Sequence, residues 1–211
     1  MPQTPPSRVV LSGHSVEEIV PLVQSHGFTL VESDPDLIIC HGGDGTLIGA
    51  EREWPGVPKV SIQRSDVCKA CPRHTPEAIL KTLAAGEHTS TEHMKIRGEA
   101  RGETLIGINE VLIHNAQVTS AVRYVVDIDG VPLGHEIIGD GLVVATPFGS
   151  SAYFRSITNS TFLVGIGLAF NNSTEPIDHL VLSPDDVIRV RITRGPALLA
   201  SDNNPHHVPL D

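Results

Sequence analysis

The 211-residue chain is poor in aromatic side chains, which make up 4% of it and include 1 Trp. That disfavours the stacked aromatic platforms on which single-stranded nucleic acid is held. Cationic residues are scarce too. Lys and Arg number 15 against 25 Asp and Glu, a net charge of -10, which argues against coating nucleic acid or an anionic membrane. A confined phosphate site is compatible with this charge, because backbone N–H groups and helix N-termini bind anions without positive side chains. No apolar run approaches the ~20 residues of a membrane span. The opening MPQTPPSRVV lacks the charged and apolar regions of a signal peptide. The 3 cysteines are too few and odd in number for a disulfide framework, which predicts a reducing, cytoplasmic setting.

What is present is globular. Hydrophobic residues are 40% and charged residues 19% of the chain, enough for one large domain or two small ones. The first part alternates strand and helix signals. Strand candidates are Arg8–Leu11, Phe28–Val31, Leu37–Cys40 and Lys59–Ile62. Ser15 and Glu18 have capping-box spacing ahead of an apolar face of Val16, Ile19, Val20 and Val23, although Pro21 interrupts that helix. Gly27 suits its end. A short helical stretch is expected around Leu47–Glu53, and a third helix opens at Thr75-Pro76-Glu77 and closes at Gly86. After about residue 89 the helical period fades. Leu105–His114, Ala121–Ile128, Gly141–Ala145, Leu163–Phe170, His179–Leu182 and Val187–Ile192 read as strands, separated by turns such as Asp129-Gly130 and Ser183-Pro184-Asp185-Asp186. The expected organisation is a small α/β domain over 1–88 and a mostly-β domain over 89–211, with an irregular tail at Asn203–His207.

Three segments carry candidate chemistry. Gly42-Gly43-Asp44-Gly45-Thr46 lies between a buried strand and a helix start. Glycines there let a phosphate approach the backbone closely. Asp44 beside a phosphate either favours the helix N-terminus or accepts a proton from a hydroxyl. A dinucleotide fingerprint with Asp66 as the ribose acid is a weaker reading, since the turn follows a later strand than the first, and no Walker A ending is present. The second segment, Thr146-Pro147-Phe148-Gly149-Ser150-Ser151-Ala152-Tyr153, is dense in hydroxyls and small residues. It suits a ribose or adenine edge with Tyr153 as a wall, or an ordinary turn with Ser150 or Ser151 as a helix N-cap. The third is Asn109-Glu110 inside an apolar run, an amide and a carboxylate suited to hydroxyls.

Together with Asp140-Gly141, these segments occur in the order and approximate spacing of NAD kinases, and the stretch Asp36–Asp202 resembles that family. The GGDG element alone is shared with diacylglycerol and sphingosine kinases and phosphofructokinases. The resemblance implies an α/β N-terminal domain and a β-rich C-terminal domain with the active site between them. It implies ATP-dependent phosphorylation of the adenosine-ribose 2′-hydroxyl of NAD, with Mg²⁺ offsetting phosphate charge. Carried over by position, Asp44 is the acid/base carboxylate, and Gly42, Gly43, Gly45 and Thr46 cradle the ATP phosphates. Asn109 and Glu110 hold NAD hydroxyls, and Asp140 binds the nicotinamide side. Ser151, Ala152 and Tyr153 line the adenine pocket, with Ser156 nearby and Asp202 at the end of a late strand. No residue is assigned as a metal ligand. The resemblance also implies a homodimer or homotetramer.

The chain departs from the family pattern at Thr158-Asn159, where the family has two glycines, at Phe148 and at Gln63–Cys68, and it stops early. Two alternatives follow: a binding protein for NAD or another adenine nucleotide without kinase activity, or a kinase for another hydroxyl compound. Cys68-Lys69-Ala70-Cys71 has metal or redox spacing but no second pair, so free thiols are expected.

Overall fold

The computed structural model describes residues 5–63, 74–174 and 176–211. The chain forms two compact units, Met1–Glu92 and His93–Asp211. In the first, strands and helices alternate as the sequence predicts. The order is β1 (Arg8–Gly13), α1 (Val20–Ser25), β2 (Thr29–Leu30), β3 (Leu37–His41), α2 (Asp44–Glu53), β4 (Lys59–Ile62) and α3 (Pro76–Ala84). The sheet is parallel throughout, in the order β2-β1-β3-β4. Every residue of β3 is buried. Helices cover both its faces, which is why the strand reads as a continuous apolar run. Val9, Ile39 and Ile62 pack with Val23 of α1 and with Leu80 and Leu83 of α3. Ile38 and Cys40 meet Ala50 of α2 on the other face.

The first helix differs from its expectation. Ser15 is left-handed, with φ 52°, and its side chain caps nothing. Val16–Glu18 form one 3₁₀ turn, and α1 starts only at Val20. Pro21 therefore sits in the first turn, where its missing N–H leaves no bond unmade. Gly27 leaves this helix at φ 87°. The stretch expected around Leu47–Glu53 is observed as α2, and the helix expected after Thr75 as α3, where Thr75 Oγ1 accepts from the Ala78 N–H at 3.3 Å.

The second unit is mostly β. Its strands are β5 (Ile96–Ala100), β6 (Glu103–Gly107), β7 (Glu110–Asn115), β8 (Val122–Ile128), β9 (Val131–Pro132), β10 (Ile137–Gly139) and β11 (Gly141–Ala145), followed by helix α4 (Tyr153–Thr158). After α4 come β12 (Ile166–Asn171), β13 (His179–Leu182), β14 (Ile188–Arg194), β15 (Ala197–Ser201) and β16 (Val208–Leu210). Six of them make an antiparallel sheet in the order β13-β12-β11-β7-β15-β16. β8 pairs with β10, β14 and β9, and β5 pairs with β6. The β8–β9 turn is the predicted Asp129-Gly130 hairpin, both residues having positive φ.

The period of two sorts the main sheet into two faces. Val111, Ile113, Leu142, Leu168 and Phe170 pack with Tyr124, Val126 and Leu199 on one face. Val143, Ala145 and Ala169 pack with Phe154 and Phe162 on the other. The expected run Leu105–His114 is two strands, broken at Ile108-Asn109. β5, β10 and β16 were not expected, whereas β15 is the late strand that the resemblance puts just before Asp202. In β5 the exposed Arg97 and Glu99 alternate with partly buried neighbours, so no apolar run marks it. The tail is irregular only to His207, after which Val208–Leu210 adds an edge strand to β15.

Candidate functional site

The glycine turn begins where β3 ends. The Gly42 N–H donates to the Ile62 carbonyl at 3.1 Å, holding the turn against β4. A Cβ at position 42 would lie 2.2 Å from Thr46 Oγ1, so the fold of Thr46 back over the turn admits only glycine there. Gly43 is the N-cap of α2 in extended conformation, and the Thr46 N–H donates to its carbonyl at 3.0 Å. A Cβ at Gly43 would meet nothing within 4 Å, so packing does not require glycine at this position. Open space before a helix N-terminus suits an anion. Asp44 is the first residue of α2 and is half-buried, and Gly45 beside it is exposed.

In the second unit the residues between β6 and β7 form a tightly held corner. The Asp202 carboxylate accepts from three backbone N–H groups: Ile108 at 2.8 Å, Asn109 at 2.9 Å and Glu110 at 3.0 Å. The Asp202 N–H returns a bond to the Glu110 carbonyl at 3.0 Å. Thr146 serves the remaining carbonyls. Its Oγ1 donates to Ile108 O at 2.6 Å, and its N–H donates to Asn109 O at 2.8 Å. Gly149 packs onto the same corner, where a Cβ would lie 2.1 Å from Asn109 O. That close approach is the local reason for glycine in the Thr146–Tyr153 segment.

Glu110 is buried, and its Oε2 has no hydrogen-bond partner. Burial, and then the charge of Asp202, push its carboxyl up to about 7. Tyr153 is half-buried, and its hydroxyl accepts from Asn171 Nδ2 at 3.0 Å. Burial and the charges of Asp140 and Glu110 raise it. Asp140 accepts from Asn172 Nδ2 at 3.0 Å, and its N–H donates to Asn171 O at 3.0 Å. The structure thus gathers Glu110, Asp140 and Tyr153 into one polar region of this unit. Neither Ser150 nor Ser151 caps α4, whose N-cap is Ala152. Ser150 Oγ instead bonds the carbonyls of Pro147 and Phe162. Ser151 and Ala152 are half-buried beside Tyr153, and Ser156 Oγ donates to the Tyr153 carbonyl at 2.7 Å.

Sequence reasoning placed Thr146 in the candidate segment without assigning its role, and it missed Asn171 and Asn172 as members of this region. The pair Asn171-Asn172 ends an apolar run much as Asn109-Glu110 interrupts one, a signal that was available. Cys68, Cys71 and Asp66 lie outside the described residues. Cys40 is a buried free thiol whose surroundings push it up to about 12, mainly by burial, so it is not poised to react.

A glycine turn at a helix N-terminus in an α/β unit, with a polar carboxylate–amide–tyrosine region in a β unit, defines a two-unit class suited to phosphate and hydroxyl recognition. No protein-family model matches the chain. An NAD kinase of Sulfurisphaera tokodaii is 30% identical over 180 residues, covering 81% of this chain and 69% of that protein. An NAD kinase of Saccharolobus solfataricus is 30% identical over 148 residues, and one of Halorhodospira halophila 36% over 131. This chain spans 58% of the former and 42% of the latter. Among solved structures, an NAD kinase from Archaeoglobus fulgidus in complex with ATP has a TM-score of 0.73 at 20% identity, covering 97% of this chain and 86% of that one. Yeast NADH kinase complexed with NADH has a TM-score of 0.78 at 17% identity, covering 99% and 77%. Those structures share the fold. The chain belongs to the NAD kinase family.

Proposed function

We propose that this chain transfers the γ-phosphoryl group of ATP to the adenosine-ribose 2′-hydroxyl of NAD, giving NADP. The observation that carries the reading is the 30% identity to the Sulfurisphaera NAD kinase over 81% of the chain. In this reading Gly42, Gly43, Gly45 and Thr46 hold the ATP phosphates at the N-terminus of α2. Asp44 accepts the proton of the attacking hydroxyl. Asn109 and Glu110 hold dinucleotide hydroxyls, and the unpartnered Glu110 Oε2 supports this, because a buried acceptor without a partner is costly unless a ligand satisfies it. Asp140 faces the nicotinamide side, and Ser151, Ala152, Tyr153 and Ser156 border the adenine. Catalysis is positioning and charge stabilisation.

Among the described residues no group of three or more His, Cys, Asp or Glu is suited to hold a metal ion. Mg²⁺ enters this reading as the counter-ion carried by the ATP phosphates, whose charge it offsets. We place the reaction in the cytoplasm. No described helix is long and apolar enough to cross a membrane. Assembly as a homodimer or homotetramer is part of the proposal. Leu163 and Val164 are 90% and 76% exposed beside the outer strand β13, where Val181 is also exposed, and a second copy would cover them.

The test is incubation with ATP, Mg²⁺ and NAD, followed by an assay with an NADP-specific dehydrogenase. Formation of NADP that depends on all three is the expected result. Tight NAD binding without NADP overturns the transfer step, and absence of NAD binding overturns the substrate.

A further inference from the structure

Six backbone polar groups lie at the Ile108–Glu110 corner, and two residues satisfy all of them. Asp202 takes the three N–H groups and donates to Glu110 O, while Thr146 binds the carbonyls of Ile108 and Asn109. Thr146 is fully buried, so it cannot reach a ligand. Asp202 has φ 46°, which turns its side chain back under the corner immediately after β15. Its two carboxylate oxygens are both engaged by backbone donors. Glu110, by contrast, leaves one buried oxygen unpartnered. The arrangement separates a support from the group it supports.

We propose that Asp202 is a positioning residue: its carboxylate fixes the backbone of Ile108, Asn109 and Glu110, and so aims the Asn109 and Glu110 side chains at the dinucleotide hydroxyls without touching the dinucleotide. This inference rests on the NAD-binding reading above. Fixing a corner in advance lowers the ordering cost of binding. Charge-assisted bonds to backbone N–H groups are among the stronger ones available for that purpose. Asp202 has a second effect on the same side chain. Within the second unit the titratable groups facing Glu110 are Asp202, at the end of β15, and Tyr153, of α4, which itself also faces Asp140. The Asp202 charge adds to burial in holding the Glu110 proton to about 7. Glu110 accepts from a hydroxyl best as a carboxylate, so NAD binding weakens as pH falls through that region.

The experiment compares wild type, Asp202→Asn, Asp202→Ala and Glu110→Gln as full chains. Calorimetric titrations with NAD and, separately, with ATP run from about pH 6 to 8, the region around the Glu110 transition. Asp202→Asn retains an acceptor oxygen and Asp202→Ala retains none. NAD affinity is expected to fall about tenfold in the Asn variant and further in the Ala variant, with ATP affinity held within about twofold. The midpoint of the pH dependence moves down in Asp202→Asn, because a like charge beside Glu110 has gone. In Glu110→Gln the dependence is absent. Should the Ala variant not fold, the Asn variant alone decides. NAD affinity and midpoint both unchanged in Asp202→Asn overturns the inference. Equal losses in Asn and Ala with an unmoved midpoint also overturn it, since that pattern marks direct contact. A wild-type chain that binds no NAD overturns the functional reading and this inference with it, whereas wild-type binding with unaffected variants overturns this inference alone.

Discussion

Glu110 is a carboxyl taken out of water and set beside another carboxylate, and both facts oppose its ionisation. The consequence for stability has a definite sign. Below about pH 4.5 the group is protonated in both folded and unfolded chains, and it contributes no pH dependence. Between there and about 7 the unfolded chain releases the proton while the folded chain keeps it, so stability falls as pH rises. The full effect is about 3 kcal/mol. Glu110→Gln is therefore expected to gain stability over wild type at pH 8 and none at pH 4, as read from urea midpoints at the two values. An equal gain at both would assign the effect to packing. Asp44 stands in a different setting, half-buried at a helix N-terminus. As the proposed base, Asp44→Asn is expected to lower turnover by roughly 10²–10⁴ and to leave NAD affinity unchanged. Wild-type turnover in that variant would remove Asp44 from the mechanism. Asp44 and the glycines were legible as residues because their spacing is local. The division of work between Asp202 and Glu110 was not, because it depends on which oxygen finds a donor.

At the scale of elements, α2 is held at both ends by different means. Its start is the glycine turn. Just past its last turn, Lys59 Nζ donates to the carbonyls of Trp54 and Val57 at 2.7 Å and pairs with Glu51, whose Oε1 also accepts from the Gly56 N–H. The Lys59 and Glu51 side chains are only 6% and 13% exposed. Lys59→Met removes the cation beside the largely buried Glu51 carboxylate, and a loss of about 3 kcal/mol is expected. Adding Glu51→Gln should restore part of it, since the double variant no longer buries a carboxylate charge without its cation. Denaturant unfolding of the four proteins checks this, and additive losses would show that the pair does not act as one. Elements themselves were legible to different degrees. β3 and α3 follow from an apolar run and from a capping threonine with a proline after it. The split of Leu105–His114 into β6 and β7 does not, because the break at Ile108-Asn109 is made by partners distant in sequence.

For the whole molecule, the net charge of -10 and the thin supply of aromatics argue against a nucleic-acid coat and are compatible with the proposed small anionic ligands, held locally by backbone N–H groups. Its most exposed apolar side chains after α4 among the described residues, Leu163 and Val164, are the proposed seat of self-assembly. Leu163→Asp with Val164→Asp is expected to shift the mass measured by light scattering from a multiple of 22.6 kDa to the single chain. An oligomer that survives both changes would place the interface elsewhere, and a monomeric wild type would remove it.

The parallel sheet, the glycine turn at its centre and the β texture of the second unit were determined by the sequence itself, since each rests on neighbours within a few residues: an apolar run, a turn pair, a capping threonine. The start of α1 follows the left-handed Ser15 and the 3₁₀ turn after it, and it accommodates Pro21, which fits only a first turn. The corner at Asn109-Glu110 was decided by tertiary structure alone. Asp202 lies 92 to 94 residues from its partners and reaches them only because β15 pairs with β7. Local pattern carries the information for elements, whereas the burial of Glu110 and the anchoring of its backbone arise when strands far apart in the chain are laid side by side.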